Sequence, residues 1–362
     1  MRRLLGVVLV LAMCFALVLT GCAQTKPENT PAADASASES VQPSEAATES
    51  AAATESTGSE SFTIAVVPKL VGITYFEAAR AGVEQAGKDL GVNAVFTGPS
   101  EADAAEQVQM IQDLISQGVN AIAVSANDAA SLTPVLTQAH DAGILVMDWD
   151  SPAERSVVDL SIKEIDYKTY AESTWDELVK AMGTDEGDYA ILTSTLTAES
   201  CNEWIKFGLD YAKEKYPKLN LVTDPVTTNE NVQEAYTKTL DLITTYPKLK
   251  GIIGFSSPAP IGAGQAVSEQ SKQDTISVVG SALPNDAKTY VHEGAIDAVL
   301  LWEPAKLGYL TVYLADYMLK GNEVKDGDME VPNVGTISIS GKEVIMGPPT
   351  VFTKDNIDNF DF

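Results

Sequence analysis

From Phe62 onward, short runs of branched apolar residues alternate with longer stretches whose apolar residues recur every three or four positions. Phe62–Val67, Asn93–Phe96, Ala121–Val124 and Ile144–Met147 are the first such runs. Runs of this length suit strands, and the most apolar of them suit strands buried on both faces. Pro68 ends the first, because proline donates no ladder hydrogen bond. The stretches between them read as helices. One carries Phe76, Ala79, Val83, Ala86 and Leu90 on a single side. Ala102–Gln117 carries Val108, Ile111, Leu114 and Ile115, with Ser100 and Asp103 at its start, and Leu132–Ala142 follows. Gly91, Gly118 and Gly143 sit where these helices stop. Strand–helix alternation at near-regular spacing predicts a doubly wound α/β parallel sheet with right-handed crossovers.

The pattern then repeats. Helices are expected at Tyr167–Met182, Asn202–Tyr216, Val232–Tyr246, Ile261–Gln270 and Pro284–His292. Strands are expected at Tyr189–Leu192, Leu219–Thr223, Ile252–Phe255, Ile276–Val279 and Ala298–Leu301, and Leu307–Leu319 is a last amphipathic helix. Two such halves leave a cleft between two sets of strand ends, which is where open α/β sheets bind ligands. Residues 62–161 with 304–325 are expected to form one lobe, and 162–303 with 326–362 the other. Beyond Gly321 the chain becomes rich in Gly, Pro and Asp, with short strand signals at Thr336–Ile339 and Val344–Met346. This tail is expected to pack over both domains near the hinge.

The first 61 residues read differently. Arg2 and Arg3 precede the apolar run Leu4–Leu19, which is short for a membrane span and ordered like a secretory signal, residues 1–21. Leu19–Cys22 resembles the bacterial lipobox, which implies lipidation of Cys22 and an extracytoplasmic position on the outer face of the cell membrane. Ala23–Ser61 has Val41 as its only branched apolar residue. Such a segment cannot bury enough surface to offset its ordering entropy. Residues 22–61 are expected to be a tether, spanning roughly 35 Å as a flexible chain. Removing residues 1–21 takes away Arg2 and Arg3 and no acid, so the formal charge moves from -27 to -29. So acidic a body is a poor partner for nucleic acid or an anionic surface. With Cys14 in the signal and Cys22 lipidated, Cys201 has no disulfide partner. His140 and His292 are the only histidines, which argues against a histidine metal cluster or a Ser-His-Asp triad. No metal or cofactor is expected.

The loops after the strands carry the candidate chemistry. Lys69 is the one charge after the first strand, with Tyr75 and Phe76 at the far end of that loop. Met147-Asp148-Trp149-Asp150-Ser151-Pro152 follows the fourth. A carboxylate beside an aromatic ring suits a polyol, because the acid accepts hydroxyl hydrogen bonds and the ring covers an apolar sugar face. Asp150 is the candidate; Asp148 alternates to the other face. Asp150 as a plain turn residue is the competing reading.

The run VPKLVGITYF, the GPSEAD turn, the segment QVQMIQDLISQGVNAIAVSA and the following WDS resemble the autoinducer-2 receptor and rhamnose-binding group of sugar-type ABC importer solute-binding proteins. The resemblance runs from residue 62 to the C-terminal DNIDNFDF. It implies the type I periplasmic binding fold, with two doubly wound domains joined by a multi-strand hinge, and Lys69 and Asp150 as ligand contacts. The second wall departs from the receptor pattern. An Asp-Gln pair before Asn-x-Trp is replaced by Ser200-Cys201 before Asn202-Glu203-Trp204, with Glu199 just outside. The receptors' Pro-x-Ala reads Ile261-Gly262-Ala263, with Pro258 and Pro260 close by. Cys201 fits either a cleft lining or a small core position. Val279–Pro284 falls where the class has a loop facing the sugar. Trp302 falls where the chain recrosses the hinge, either stacking on ligand or packing there.

These features imply a lipid-anchored monomer that captures a small sugar-like molecule and delivers it to an ABC permease. A sensory receptor of the same fold, presenting bound ligand to a membrane signalling partner, is the alternative. An enzyme is the least favoured class: a glycosidase needs two carboxylates at a set separation, and Asp150 with Glu199 is the one pair to consider.

Overall fold

The computed structural model describes residues 61–362. The expected signal peptide, the lipidation of Cys22 and the tether up to residue 60 lie outside the described residues. The first lobe opens with β1 (Thr63–Val67), α1 (Thr74–Leu90), β2 (Asn93–Phe96), α2 (Ala104–Gln117), β3 (Ala121–Val124), α3 (Ala129–Asp141), β4 (Leu145–Trp149) and β5 (Leu160–Lys163). The second contains α4 (Tyr167–Met182), β6 (Glu186–Thr193), α5 (Glu199–Lys215), β7 (Lys218–Leu221), β8 (Val226–Thr227) and α6 (Val232–Thr245). It continues with β9 (Leu249–Gly254), α7 (Pro258–Glu269), β10 (Ser277–Gly280), α8 (Pro284–Glu293) and β11 (Ala298–Leu301). The chain ends with α9 (Pro304–Leu319), β12 (Gly327–Val331), β13 (Gly335–Ser340), β14 (Glu343–Ile345) and β15 (Thr350–Thr353).

The first sheet has the order β12-β13-β14-β5-β4-β3-β1-β2, and the second β15-β11-β10-β9-β6-β7, with β8 also paired to β6. Both are parallel except at one edge, where β12, β13 and β15 run antiparallel. The tail therefore contributes to both sheets, and only its assignment to a single lobe departs from expectation. Residues 327–345 extend the first sheet, and only β15 joins the second, so 326–362 does not belong wholly to the second lobe. The strand β5 was not anticipated either: its sequence LSIK carries only two branched apolar residues, and pairing to β4 and β14 supplies what local pattern does not.

Strand residues of β1 are buried on both faces and still divide by alternation. Ile64 and Val66 pack with Phe76, Ala79 and Val83 of α1 and Leu307 and Leu310 of α9. Ala65 and Val67 pack with Ile111 and Leu114 of α2 and Leu132 and Leu136 of α3. Each buried Val or Ile contributes about 1.5–3 kcal/mol. Asp103, rather than Ser100, caps α2 by accepting from the amides of Ala105 and Glu106. Gly118 closes that helix at φ 70, a conformation where Gly carries no Cβ penalty.

The chain passes between the sheets at Lys163–Tyr167, Leu301–Pro304 and Ile345–Thr350. These crossings form the hinge, and the strand ends of both sheets face each other beside it. Among the described residues, no helix is long and apolar enough to cross a membrane.

Candidate functional site

Lys69 leaves β1 directly after Pro68, and a residue of α2 and the end of β3 hold its loop in place. Gln107 of α2 is fully buried; its Nε2 donates to the carbonyls of Pro68 and Ser125, and its Oε1 accepts from the Asn127 amide. Asn127 Nδ2 in turn donates to the Lys69 carbonyl at 2.8 Å. This buried brace ties the ends of β1 and β3 together, so the Lys69 side chain projects from a fixed backbone.

Asp150 follows β4 with φ 61, a left-handed conformation uncommon for a non-glycine residue. Tyr75 Oη donates to its Oδ1 and Ser125 Oγ to its Oδ2, each at 2.6 Å, while Tyr167 Oη donates to its carbonyl. Trp302 Nε1 donates to Tyr75 Oη at 3.0 Å. Each carboxylate oxygen thus has one protein donor and a remaining lone pair. Burial and then the Asp150 charge push the Tyr75 phenol well above its ordinary range, so it stays a donor.

Lys69, Ile73, Tyr75, Phe76 and Asp150 from the first lobe face Ser200, Cys201, Trp204, Glu230, Ser256 and Ser281 from the second, with Leu301 and Trp302 at the hinge. The space between them, counted together with its opening to solvent, is about 370 Å³. The lobes meet across it. Lys69 Nζ donates to Glu230 Oε1 at 2.9 Å, and both side chains are buried. Burial alone would lower the Lys69 pKa, but Glu230 and then Asp150 outweigh it and hold the ammonium above its usual value. Burial pushes the Cys201 thiol up to about 11, so it is a neutral, weakly polar lining group. Trp204 and Trp302 lie 6.1 Å apart by ring centroids, with Tyr170 against both. Trp204 Nε1 and Ser256 Oγ are buried with no partner among the described residues, although each lines the cavity.

The structure therefore brings together Lys69, Tyr75, Phe76, Asp150, Ser200, Cys201 and Trp302 as the sequence reading expected. Four expected residues lie elsewhere. Trp149 is fully buried, edge-on to Phe76 and Phe96 in the core beneath the cleft. Glu199 is exposed at the start of α5, one position before the residue that turns inward, so no carboxylate pair forms with Asp150. Pro260 packs against Gly254, and Ala263 is fully buried on the sheet side of α7. Ser125, Glu230 and Ser256 are polar site residues the sequence reading missed. The usable signal was position, since each directly follows or closely follows a strand end, as Lys69 and Asp150 do. Among the described residues no group of His, Cys, Asp and Glu could hold a metal ion.

Comparison with known proteins follows the same outline. A family model described as periplasmic binding protein domain matches residues 64–323. LsrB from Clostridium saccharobutylicum, solved in complex with AI-2, is 30% identical with a TM-score of 0.78, covering 83% of this chain and 100% of its own. An ABC transporter solute-binding protein from Clostridium phytofermentas, solved with bound L-rhamnose, is 26% identical with a TM-score of 0.79, covering 83% and 98%. The ribose import binding protein of Bacillus subtilis is 21% identical over 267 residues, 74% of this chain and 84% of its own. These relatives are transport binding proteins rather than enzymes. On the family match, the shared fold and the cleft between its lobes, the chain belongs to the periplasmic binding protein family, among the sugar-type solute-binding proteins of ABC importers.

Proposed function

We propose that this protein is an extracytoplasmic, lipid-anchored solute-binding protein. It captures a neutral polyol of pentose to deoxyhexose size and delivers it to an ABC permease. The observation that carries the reading is Asp150, buried at a strand end with one lone pair free on each oxygen and aromatic rings beside it. Such a carboxylate takes two ligand hydroxyls, and the rings cover the sugar's C–H face. One amine, Lys69, stands against two carboxyl groups, Asp150 and Glu230, so the cleft disfavours phosphorylated and acidic solutes. Ile73, Phe76, Cys201 and Leu301 give the cavity apolar lining groups that accommodate a methyl group. A pentose or deoxyhexose should therefore bind at least as well as autoinducer-2.

Calorimetric titration of the purified protein with D-ribose, D-allose, L-rhamnose, D-arabinose, D-fucose and autoinducer-2 tests this. One-to-one binding of a neutral sugar with Kd of about 1 μM or tighter, equivalent to roughly 8 kcal/mol, is expected. Binding of none, or of autoinducer-2 alone, would overturn the ligand assignment. Mass spectrometry of the membrane fraction tests the anchor: an unmodified Cys22 or an intact Met1 would overturn it.

A further inference from the structure

Glu230 lies in the loop between β8 and α6, and its backbone is arranged to face the cleft. Asn229 has φ 49 and Glu230 φ 55, two consecutive left-handed conformations without glycine. Residues held this way persist only where the surroundings over-determine them. Here the Asn229 amide donates to the Ser194 carbonyl, the Thr228 amide and hydroxyl to Thr193, and the Asn231 amide back to Thr228. Asn231 then caps α6 by accepting from the Glu234 amide. The loop is thus fixed from both ends, and the Glu230 side chain is only 2% exposed.

Its hydrogen bond within the protein is to Lys69 Nζ, across the cleft. Lys69 also feels Asp150 on its own lobe. A solute entering between these groups must satisfy a donor on one side and an acceptor on the other, because both charges are removed from water. A hydroxyl accepts from the ammonium and donates to the carboxylate at once. A methyl, an ether oxygen or a hydrogen does neither or only one. An anion would meet Glu230 and Asp150, and a cation would meet Lys69.

We propose that Glu230 is a specificity-determining ligand contact. It accepts a hydrogen bond from one ligand hydroxyl whose oxygen accepts from Lys69, so the cleft selects solutes bearing a hydroxyl at that position. The inference rests on the sugar-capture reading and identifies where the second lobe obtains the carboxylate that Ser200 and Cys201 do not provide.

The test is a mutant–ligand cycle. The full protein and its Glu230→Gln and Glu230→Ala variants are titrated with the sugar panel above, then with each monodeoxy counterpart of the tightest binder. Circular dichroism and thermal midpoint establish that the variants fold. Glu230→Ala should weaken the parent sugar at least tenfold, and Glu230→Gln, which keeps a hydrogen-bonding oxygen, should weaken it less. One deoxy analogue should lose affinity at least fivefold on the wild type and show no comparable loss on Glu230→Ala. A merely structural role would lower all affinities without that coupling. Sugar binding by the wild type with Glu230→Ala within twofold, or equal deoxy losses on both proteins, would overturn the inference alone. Absence of sugar binding by the wild type would overturn the sugar reading and the inference with it.

Discussion

At the scale of single residues, Asp150 and Glu164 are two carboxyls with opposite circumstances. Asp150 has donors on both oxygens. Asp150→Ala should keep the fold and cost roughly 1.5–3 kcal/mol of ligand binding. By titration this is about a ten- to hundredfold rise in Kd; an unchanged constant would reduce Asp150 to a turn residue. Glu164, just after β5 at the hinge, is fully buried, and neither of its oxygens has a partner among the described residues. Burial, and then the Asp150 charge, push its carboxyl well above the ordinary range. The folded protein then keeps a proton that the unfolded chain releases above its ordinary pKa near 4.3. Stability from this group is greatest below that value and falls as pH rises, by up to about 1.4 kcal/mol per unit while Glu164 remains protonated. Glu164→Gln should therefore raise the thermal midpoint more at pH 8 than at pH 5. An equal change at both would show that Glu164 is already ionised in the fold. Lys69 and Asp150 were readable in the sequence because each follows an unmistakable apolar run. Glu230 was not, because β8 has only two residues, Val226 and Thr227, and forms through pairing with β6. Glu164 was hidden for a similar reason, since β5 had no pattern of its own.

At the scale of elements, the repeating strands and helices were legible because burial on both faces demands branched apolar runs, and glycines such as Gly91, Gly118, Gly183 and Gly294 mark helix stops. The edge strands were less so. Gly327–Val331 and Thr350–Thr353 are short, half-exposed and antiparallel, and they gain definition only by joining existing sheets. What the periodicity of α1 and α9 did not reveal is how closely they cross. A Cβ on Gly82 would lie 1.8 Å from the Ala305 carbonyl oxygen, and one on Gly308 would lie 2.1 Å from that of Ala79. Neither obstacle is a flexible side chain, so the helices would have to separate. Gly308→Ala should destabilise by at least the 1–3 kcal/mol typical of overpacking. Urea unfolding measures it, with Gly347→Ala as a control, since a Cβ there meets nothing within 4 Å. A Gly308→Ala midpoint equal to the control's would show that the helix pair yields easily. Because α9 starts immediately after the Leu301–Pro304 crossing, this contact also fixes where the hinge segment lands on the first lobe.

At the scale of the whole molecule, the two lobes are held together by contacts that lie away from the ligand cavity as well as within it. Thr197 Oγ1 of the second lobe donates to the Asn127 carbonyl of the first at 2.8 Å, and Thr74 Oγ1 of the first donates to Asp286 of the second. Neither Thr197 nor Asp286 lines the cavity. Such contacts exist only when the lobes are closed, so they stabilise the closed state whatever the solute is. The solute supplies the remaining differential affinity that shifts the population. Each hydrogen bond is expected to contribute about 0.5–1.5 kcal/mol. Removing one should therefore leave the chemistry of recognition intact and shorten the time the lobes remain closed. Thr197→Val and Asp286→Ala should each raise the solute dissociation rate roughly two- to tenfold. The association rate should stay within about twofold, because encounter precedes closure and most affinity change resides in dissociation. Trp204 and Trp302 line the cavity and report occupancy, so stopped-flow tryptophan fluorescence reads both rates on each variant. The preference among sugars should not change, since every solute loses the same closed-state contact. A fall in the association rate with dissociation unaltered would mean that these groups guide entry rather than hold the lobes shut. A change in sugar preference would place them in the recognition site itself.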